Sequence, residues 1–229
     1  MDNIYKSARL EKQGMVSGEL DLINKQTLRP MAAEEVYTFR LAACDNQVDR
    51  DFERFTDAAL EGLAEKFLGR PVLMDHMWSA GAQTARVYGS GLEETGDVKR
   101  LVLRCYMPRT EKTADTIQAI EAGILRECSV GCVVERAVCS VCGADQTKTC
   151  CRHVPGVDYD GQQCVMELDG AKDAYEVSLV AVPAQLGAGV VKSKRYGGAE
   201  PQEEREAKDS DLELAKAMQE QEEKRYGGI

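Results

Sequence analysis

The sequence predicts an α+β fold built around a mainly antiparallel β-sheet or β-barrel with flanking helices. Three observations predict it. Short runs rich in β-branched and aromatic residues recur through residues 35–191, each bounded by turn-forming residues. Only two interior segments place apolar residues at helical spacing. The chain has 229 residues, 43% hydrophobic and 30% charged, which is enough to bury a sizeable core. The expected organisation is an N-terminal extension (1–34), a main domain (35–191) with a cysteine-rich insertion (138–165), and a charged tail (192–229).

Residues 1–34 are mixed and polar, with one strand expected near Ser17–Asn24. EVYTFRLAAC (35–44) reads as a strand, and the charged DNQVDRDFER after it as turns. Thr56 then precedes a helix in which Leu60, Leu63, Ala64, Phe67 and Leu68 recur at helical spacing, with Gly69 at its exit. PVLMDH, QTARVYGSGLE and KRLVLRCYM follow as three short strands. Thr113 is expected to cap a helix through ADTIQAIEAG that ends at Gly123. LRECSVGCVVERAV and AYEVSLVAVPA are further strands, the second closed by Pro183.

The tail changes character: 18 of its 38 residues are charged. Ser210 and Glu213 form a capping box there, but the apolar stripe is thin, so a helix is expected only when paired. KRYGG occurs twice, at 194–198 and 224–228, as linker sequence or as a pair of cleavable sites.

The formal charge of −10, with no Lys/Arg-rich block, disfavours sequence-independent nucleic-acid binding. No apolar run is long enough to span a bilayer, and the N-terminus lacks a basic-then-apolar signal pattern. Of nine cysteines, five fall between 139 and 164, a clustering that reads as metal binding in a reducing compartment.

Cys139 and Cys142 form a C-x-x-C pair, and Gly143 permits the tight turn of a zinc knuckle. Cys151 and His153 follow closely, so two paired ligand clusters meet the need of a closed tetrahedral zinc site. Cys150 can replace Cys151 in that set, and Cys164 can displace a weak member. Four protein ligands leave no open position, which makes the expected zinc structural. The competing reading is a set of free or redox-active thiols.

If His153 is a ligand, His76 is the one imidazole left for acid–base chemistry, since the chain has two histidines. In GILRECSVGCVV, Ser129 stands two residues before Gly131 in an apolar β-forming run. A serine hydroxyl needs a neighbouring base to act as a nucleophile. Strand alternation puts Ser129 and Gly131 on one face, and Cys128 and Val130 on the other. In YEVSLVAVPA, Glu176 and Ser178 share a face opposite Val177 and Leu179. A carboxylate on so apolar a strand calls for a partner, either an imidazole to orient or an arginine such as Arg126 or Arg136.

GRPVLMDHMWSAGAQTARV, then EAGILRECSVGC, then AYEVSLVAVPAQLGAGV resemble, in order from about Asp49 to Val191, the prohead proteases of tailed bacteriophages. The cysteine-rich phrase is similar to an insertion found in some of these proteins. The resemblance implies a β-barrel of about seven strands like that of the herpesvirus assemblins. It also implies serine endopeptidase activity on scaffold and major capsid protein inside the immature capsid, in the host cytoplasm, often with self-cleavage. A homo-oligomer is left open.

Carried over by motif, His76 is the general base, Ser129 the nucleophile and Glu176 the third member. Asp45, Asp49 or Asp75 can equally orient His76. A rival reading is an inactive, zinc-stabilised capsid assembly or scaffold protein.

Overall fold

The computed structural model describes residues 18–182, 184–185 and 188–191. Both KRYGG copies, the expected tail helix and Pro183 lie outside the described residues.

Among the described residues there are ten strands and three α-helices. In chain order they are α1 (Glu19–Asn24), β1 (Val36–Asp45), β2 (Glu53–Phe55), α2 (Asp57–Lys66), β3 (Pro71–Met74), β4 (Ala85–Thr95), β5 (Val98–Pro108) and α3 (Glu111–Glu121). They continue as β6 (Cys128–Cys139), β7 (Asp158–Tyr159), β8 (Gln162–Gln163), β9 (Met166–Leu179) and β10 (Gly189–Val191). Eight strands form one sheet in the order β10-β1-β5-β4-β3-β9-β2, with β6 paired to the other side of β9. The fold is therefore α+β with a core that is mostly sheet.

The sheet is mainly antiparallel, as expected, with two parallel exceptions, and the expected barrel needs correction. The pairings of β9 with β2 and with β3 are parallel, whereas the remaining ladders are antiparallel. The sheet does not close into a barrel among the described residues. β6 meets β10 at one isolated bridge, Glu127–Gly189, because β10 is three residues long and pairs mainly with β1.

β9 organises the molecule. It runs 14 residues, longer than its apolar stretch predicts, with β6 on one side and β2 and β3 on the other. Val177 and Leu179 point into a core shared with Leu60, Leu63, Phe67, Val72, Leu101 and Leu103. Burying side chains of that size contributes roughly 1.5–3 kcal/mol each, before the entropy cost of ordering.

Helix α2 follows the sequence pattern closely. The Thr56 hydroxyl accepts from the Ala59 N–H, and Leu60 and Leu63 are fully buried. Helix α3 starts earlier than expected. Thr110, not Thr113, is its N-cap, because the Thr113 hydroxyl is turned onto the Pro108 carbonyl at 2.5 Å.

The strand expected near Ser17–Asn24 is the short helix α1 instead. Leu20 and Ile23, three apart, lie on one helical face that packs against Val36, Tyr88 and Tyr106. The charged stretch after β1 makes the expected turn but then forms β2. Asp49 Oδ1 accepts from the backbone N–H groups of Asp51 and Glu53, which folds the turn that delivers β2 to β9.

Candidate active site and metal cluster

His76 is brought into place by a two-residue turn at the end of β3. Asp75 and His76 both hold left-handed backbone angles, φ 52° and 53°, and the Met77 N–H closes the turn on the Met74 carbonyl at 3.0 Å. Two non-glycine residues in this region cost roughly 1 kcal/mol or more each, so the surrounding structure must hold them there. It does so through β9: the Asp75 N–H donates to the Leu179 carbonyl at 3.0 Å, and the His76 N–H to Ser178 Oγ at 3.1 Å.

The imidazole then meets Glu176, with His76 Nδ1 2.7 Å from Glu176 Oε1. The carboxylate side chain is 3% exposed and the imidazole 41%, so a buried acid orients a ring that still reaches solvent. Glu176 Oε2 accepts a second hydrogen bond, 2.6 Å, from the Ser178 hydroxyl. Of the four carboxylates weighed as partners for His76, Glu176 is the one that engages it. Asp45 and Asp49 accept backbone N–H groups of their own turns, and Asp75 is exposed beside the ring's own backbone. The arginine alternatives fall away too: Arg136 pairs with Asp169, and Arg126 with Glu127.

Ser129 stands directly across from Ser178 in the β6–β9 ladder, and Gly131 directly across from Glu176. Opposed side chains in such a ladder have Cβ atoms roughly 5 Å apart. The ladder thus places Ser129, Ser178 and Glu176 on one face, as alternation predicts, with His76 arriving over it from β3. Ser129 is half-buried, and no hydrogen bond joins it to His76 among the described residues.

Gly131 has a role that its sequence context does not reveal. A Cβ there would run into Glu176 Oε1, so the missing side chain is the space the carboxylate occupies. The small residue makes room for the acid. Between the Gly131 and Cys132 pairings, the ladder skips Tyr175. This bulge turns the Tyr175 ring outward against Trp78, with ring centroids 5.5 Å apart. Trp78 is 71% exposed, so an aromatic pair flanks the His76–Glu176 contact on the surface.

The cysteines nearby are not competitors for the nucleophile role. Burial pushes the Cys128 thiol far above its ordinary range, and its S–H donates to the Ala42 carbonyl. Burial likewise pushes Cys132 up to about 11. Both line a cavity of about 270 Å³ together with Cys44, Phe55 and Val130, and with Asp49 and Glu53, whose carboxyls burial also pushes up. Ser129 also lines it, but the rest of its β6 wall, Cys128, Val130, Cys132 and Val134, is the opposite alternation face, and neither His76 nor Glu176 borders it.

The second cluster forms in residues 140–165, between β6 and β9. The ligand atoms of Cys139, Cys142, Cys151 and His153 all lie within 4.8 Å of one another. Donors about 2.1–2.3 Å from a tetrahedral ion stand roughly 3.4–3.8 Å apart, and Cys139 Sγ lies 3.6 Å from His153 Nδ1. The four residues therefore fit a four-coordinate metal ion.

Local backbone explains the approach. The Gly143 N–H donates to the Cys139 carbonyl at 2.8 Å, and Gly143 takes φ 72°, folding the C-x-x-C knuckle. Burial works against ionising Cys139, but backbone N–H groups of Cys142 and Val141 outweigh it and bring the thiol down to about 7. The His153 ring packs edge-on to Tyr159 at 4.5 Å. Gln146 both donates to Cys151 Sγ at 3.1 Å and accepts from its N–H, a supporting contact with no motif to announce it.

The alternative ligands sit apart. Cys150 is exposed and outside the cluster. Cys164 is buried with its Sγ 3.8 Å from that of Cys139, but it does not belong to the mutually close set. No helix of the described residues is long and apolar enough to cross a membrane. Neither the protein-family models nor the curated proteins contain a match to this chain.

Proposed function

We propose that this protein is a serine endopeptidase in which Ser129 is the nucleophile, His76 the general base and Glu176 the orienting acid. The observation that carries this is the 2.7 Å contact between His76 Nδ1 and a buried Glu176, on the same ladder face as Ser129. A carboxylate on Nδ1 leaves Nε2 free to take a proton. In the reaction, Ser129 Oγ attacks a peptide carbonyl while His76 Nε2 takes the hydroxyl proton. The tetrahedral intermediate collapses with cleavage of the C–N bond, and His76 returns the proton to the leaving amine. Water then releases the acyl group by the same proton route.

The substrates we assign, on the strength of the resemblance to phage prohead proteases, are scaffold and major capsid proteins in an assembling prohead. The Cys139, Cys142, Cys151 and His153 cluster would hold zinc in a structural role, with no step of the reaction passing through it. The test is co-expression with the cognate capsid protein. The chain should shorten it, and Ser129→Ala should not; equal shortening by both would remove the nucleophile assignment.

One observation favours a second reading, a metal-braced assembly protein without catalysis: Ser129 makes no hydrogen bond to His76 among the described residues. Labelling by a fluorophosphonate probe, lost on Ser129→Ala, separates the two.

A further inference from the structure

Ser178 is fully buried, one hydroxyl joined to both partners of the candidate dyad. Its hydrogen-bond directions can be worked out. A backbone N–H can only donate, so Ser178 Oγ accepts from His76 N at 3.1 Å. The single hydroxyl proton is then committed to Glu176 Oε2, at 2.6 Å. That oxygen is therefore an acceptor. The remaining oxygen, Oε1, faces His76 Nδ1 at 2.7 Å.

We infer that Ser178 is a positioning residue that sets the tautomer of His76. By donating to Oε2 and accepting from the His76 backbone, it fixes the rotation of the carboxylate and holds Oε1 against the ring. Nδ1 must then carry the proton in the neutral imidazole, and Nε2 presents its lone pair outward. Without the Ser178 hydroxyl, the carboxylate can turn off Nδ1 and leave the neutral ring no acceptor there. The ring would then carry its proton on Nε2 and lose its capacity as a base. Strand alternation alone puts Ser178 beside Glu176, but the contact with His76 depends on the left-handed turn that delivers the ring from β3.

The tautomer assignment stands on geometry alone; its consequence for rate rests on the peptidase reading. The experiment is nitrogen-15 NMR of the full chain labelled at histidine, with His76→Asn used to separate the two rings. In the unsubstituted chain, neutral His76 should carry its proton on Nδ1. Ser178→Cys keeps a small buried side chain and replaces the hydroxyl with a weak donor. It should shift a large fraction of the neutral ring to the Nε2–H form, and Ser178→Thr should restore the original spectrum. If Thr proves too large for the site, the comparison of Cys with the unsubstituted chain still decides.

An unchanged His76 tautomer in Ser178→Cys would overturn the inference. So would an Nε2–H tautomer in the unsubstituted chain. In a peptidase assay, Ser178→Cys should lower kcat roughly 10- to 100-fold with KM unchanged, a milder loss than that for removing the acid itself. A chain with no peptidase activity but the expected tautomer change would sink the peptidase reading and leave the role of Ser178 intact.

Discussion

The corner around His76 gathers polar side chains from distant parts of the sequence, whereas the loop cluster of residues 139–165 gathers near neighbours, and the two are held by different means. His76, Glu176 and Ser178 rest on β3 and β9, two strands with fully buried residues in the main core, such as Val72 and Val177. The loop has only a satellite core of Cys139, Cys164 and Met166, with Val141, Cys151 and Tyr159 against it. That core is too small to offset the entropy of ordering some 25 residues, at roughly 1 kcal/mol or more each. The first region is organised by the fold, whereas the second has little core of its own and four side chains that fit an ion. A catalytic constellation needs the former and tolerates no slack, while a brace can be assembled locally around its metal.

The largest expected effect breaks the first region alone. Ser129→Ala or His76→Ala should lower peptidase turnover by roughly six orders of magnitude, to the background set by binding. Circular dichroism and bound metal should not change in either variant, and retained turnover in both would reject the site. Removing the metal breaks the other region. Purified chain should hold one equivalent of zinc by elemental analysis. Cys142→Ser should lose it and open residues 140–165 to limited proteolysis while β1–β5 stay protected. Zinc binding of order 10 kcal/mol is what the loop would forfeit.

Gly131→Ala is a sharper probe, because its Cβ competes with Glu176 Oε1 for the same space. It should cost about 1–3 kcal/mol in denaturant unfolding and reduce activity more than stability, as the carboxylate is pushed off Nδ1. Thr56→Ala should cost about 1 kcal/mol or more, through the lost helix cap and the lost hydrogen bond to Asp169, and leave turnover and metal content alone.

The smallest effect belongs to Asp145, whose carboxyl the Thr147 hydroxyl holds down at about 2. Because the folded value is lower than the unfolded one, its contribution is complete above about pH 4. It fades as pH falls toward 2. Thr147→Val should raise that carboxyl's titration midpoint in NMR and, by the same linkage, remove a small part of the stability at neutral pH while leaving stability at pH 2 nearly unchanged.

Much of this could be read before any coordinates. The C-x-x-C pair, Gly143 and the nearby Cys151 and His153 announce their chemistry by spacing, because a knuckle is a local structure. Thr56 and the leucines after it specify α2 for the same reason. The alternation of Glu176 with Val177, and of Ser178 with Leu179, correctly divides β9 into a polar and a core face. Where locality fails, so does sequence reasoning. Ser17–Asn24 reads as a strand because its helical face is too short to show a period; it is settled by the Val36, Tyr88 and Tyr106 pocket that Ile23 enters.

Sequence by itself determined which side chains are chemically capable: one imidazole beside a metal-ligand cluster, one apart from it, a serine in an S-V-G strand and a carboxylate on an apolar one. These follow from residue type and short spacing, which the covalent chain carries directly. Only tertiary structure decided that Glu176, rather than Asp45, Asp49 or Asp75, meets His76, that Gly131 is the space its carboxylate fills, and that the sheet does not close beside β6 among the described residues. Those outcomes depend on strand register and on a left-handed turn at 75–76. Both are fixed by the packing of β9 between β6 and β3, and no local stretch of sequence contains that packing.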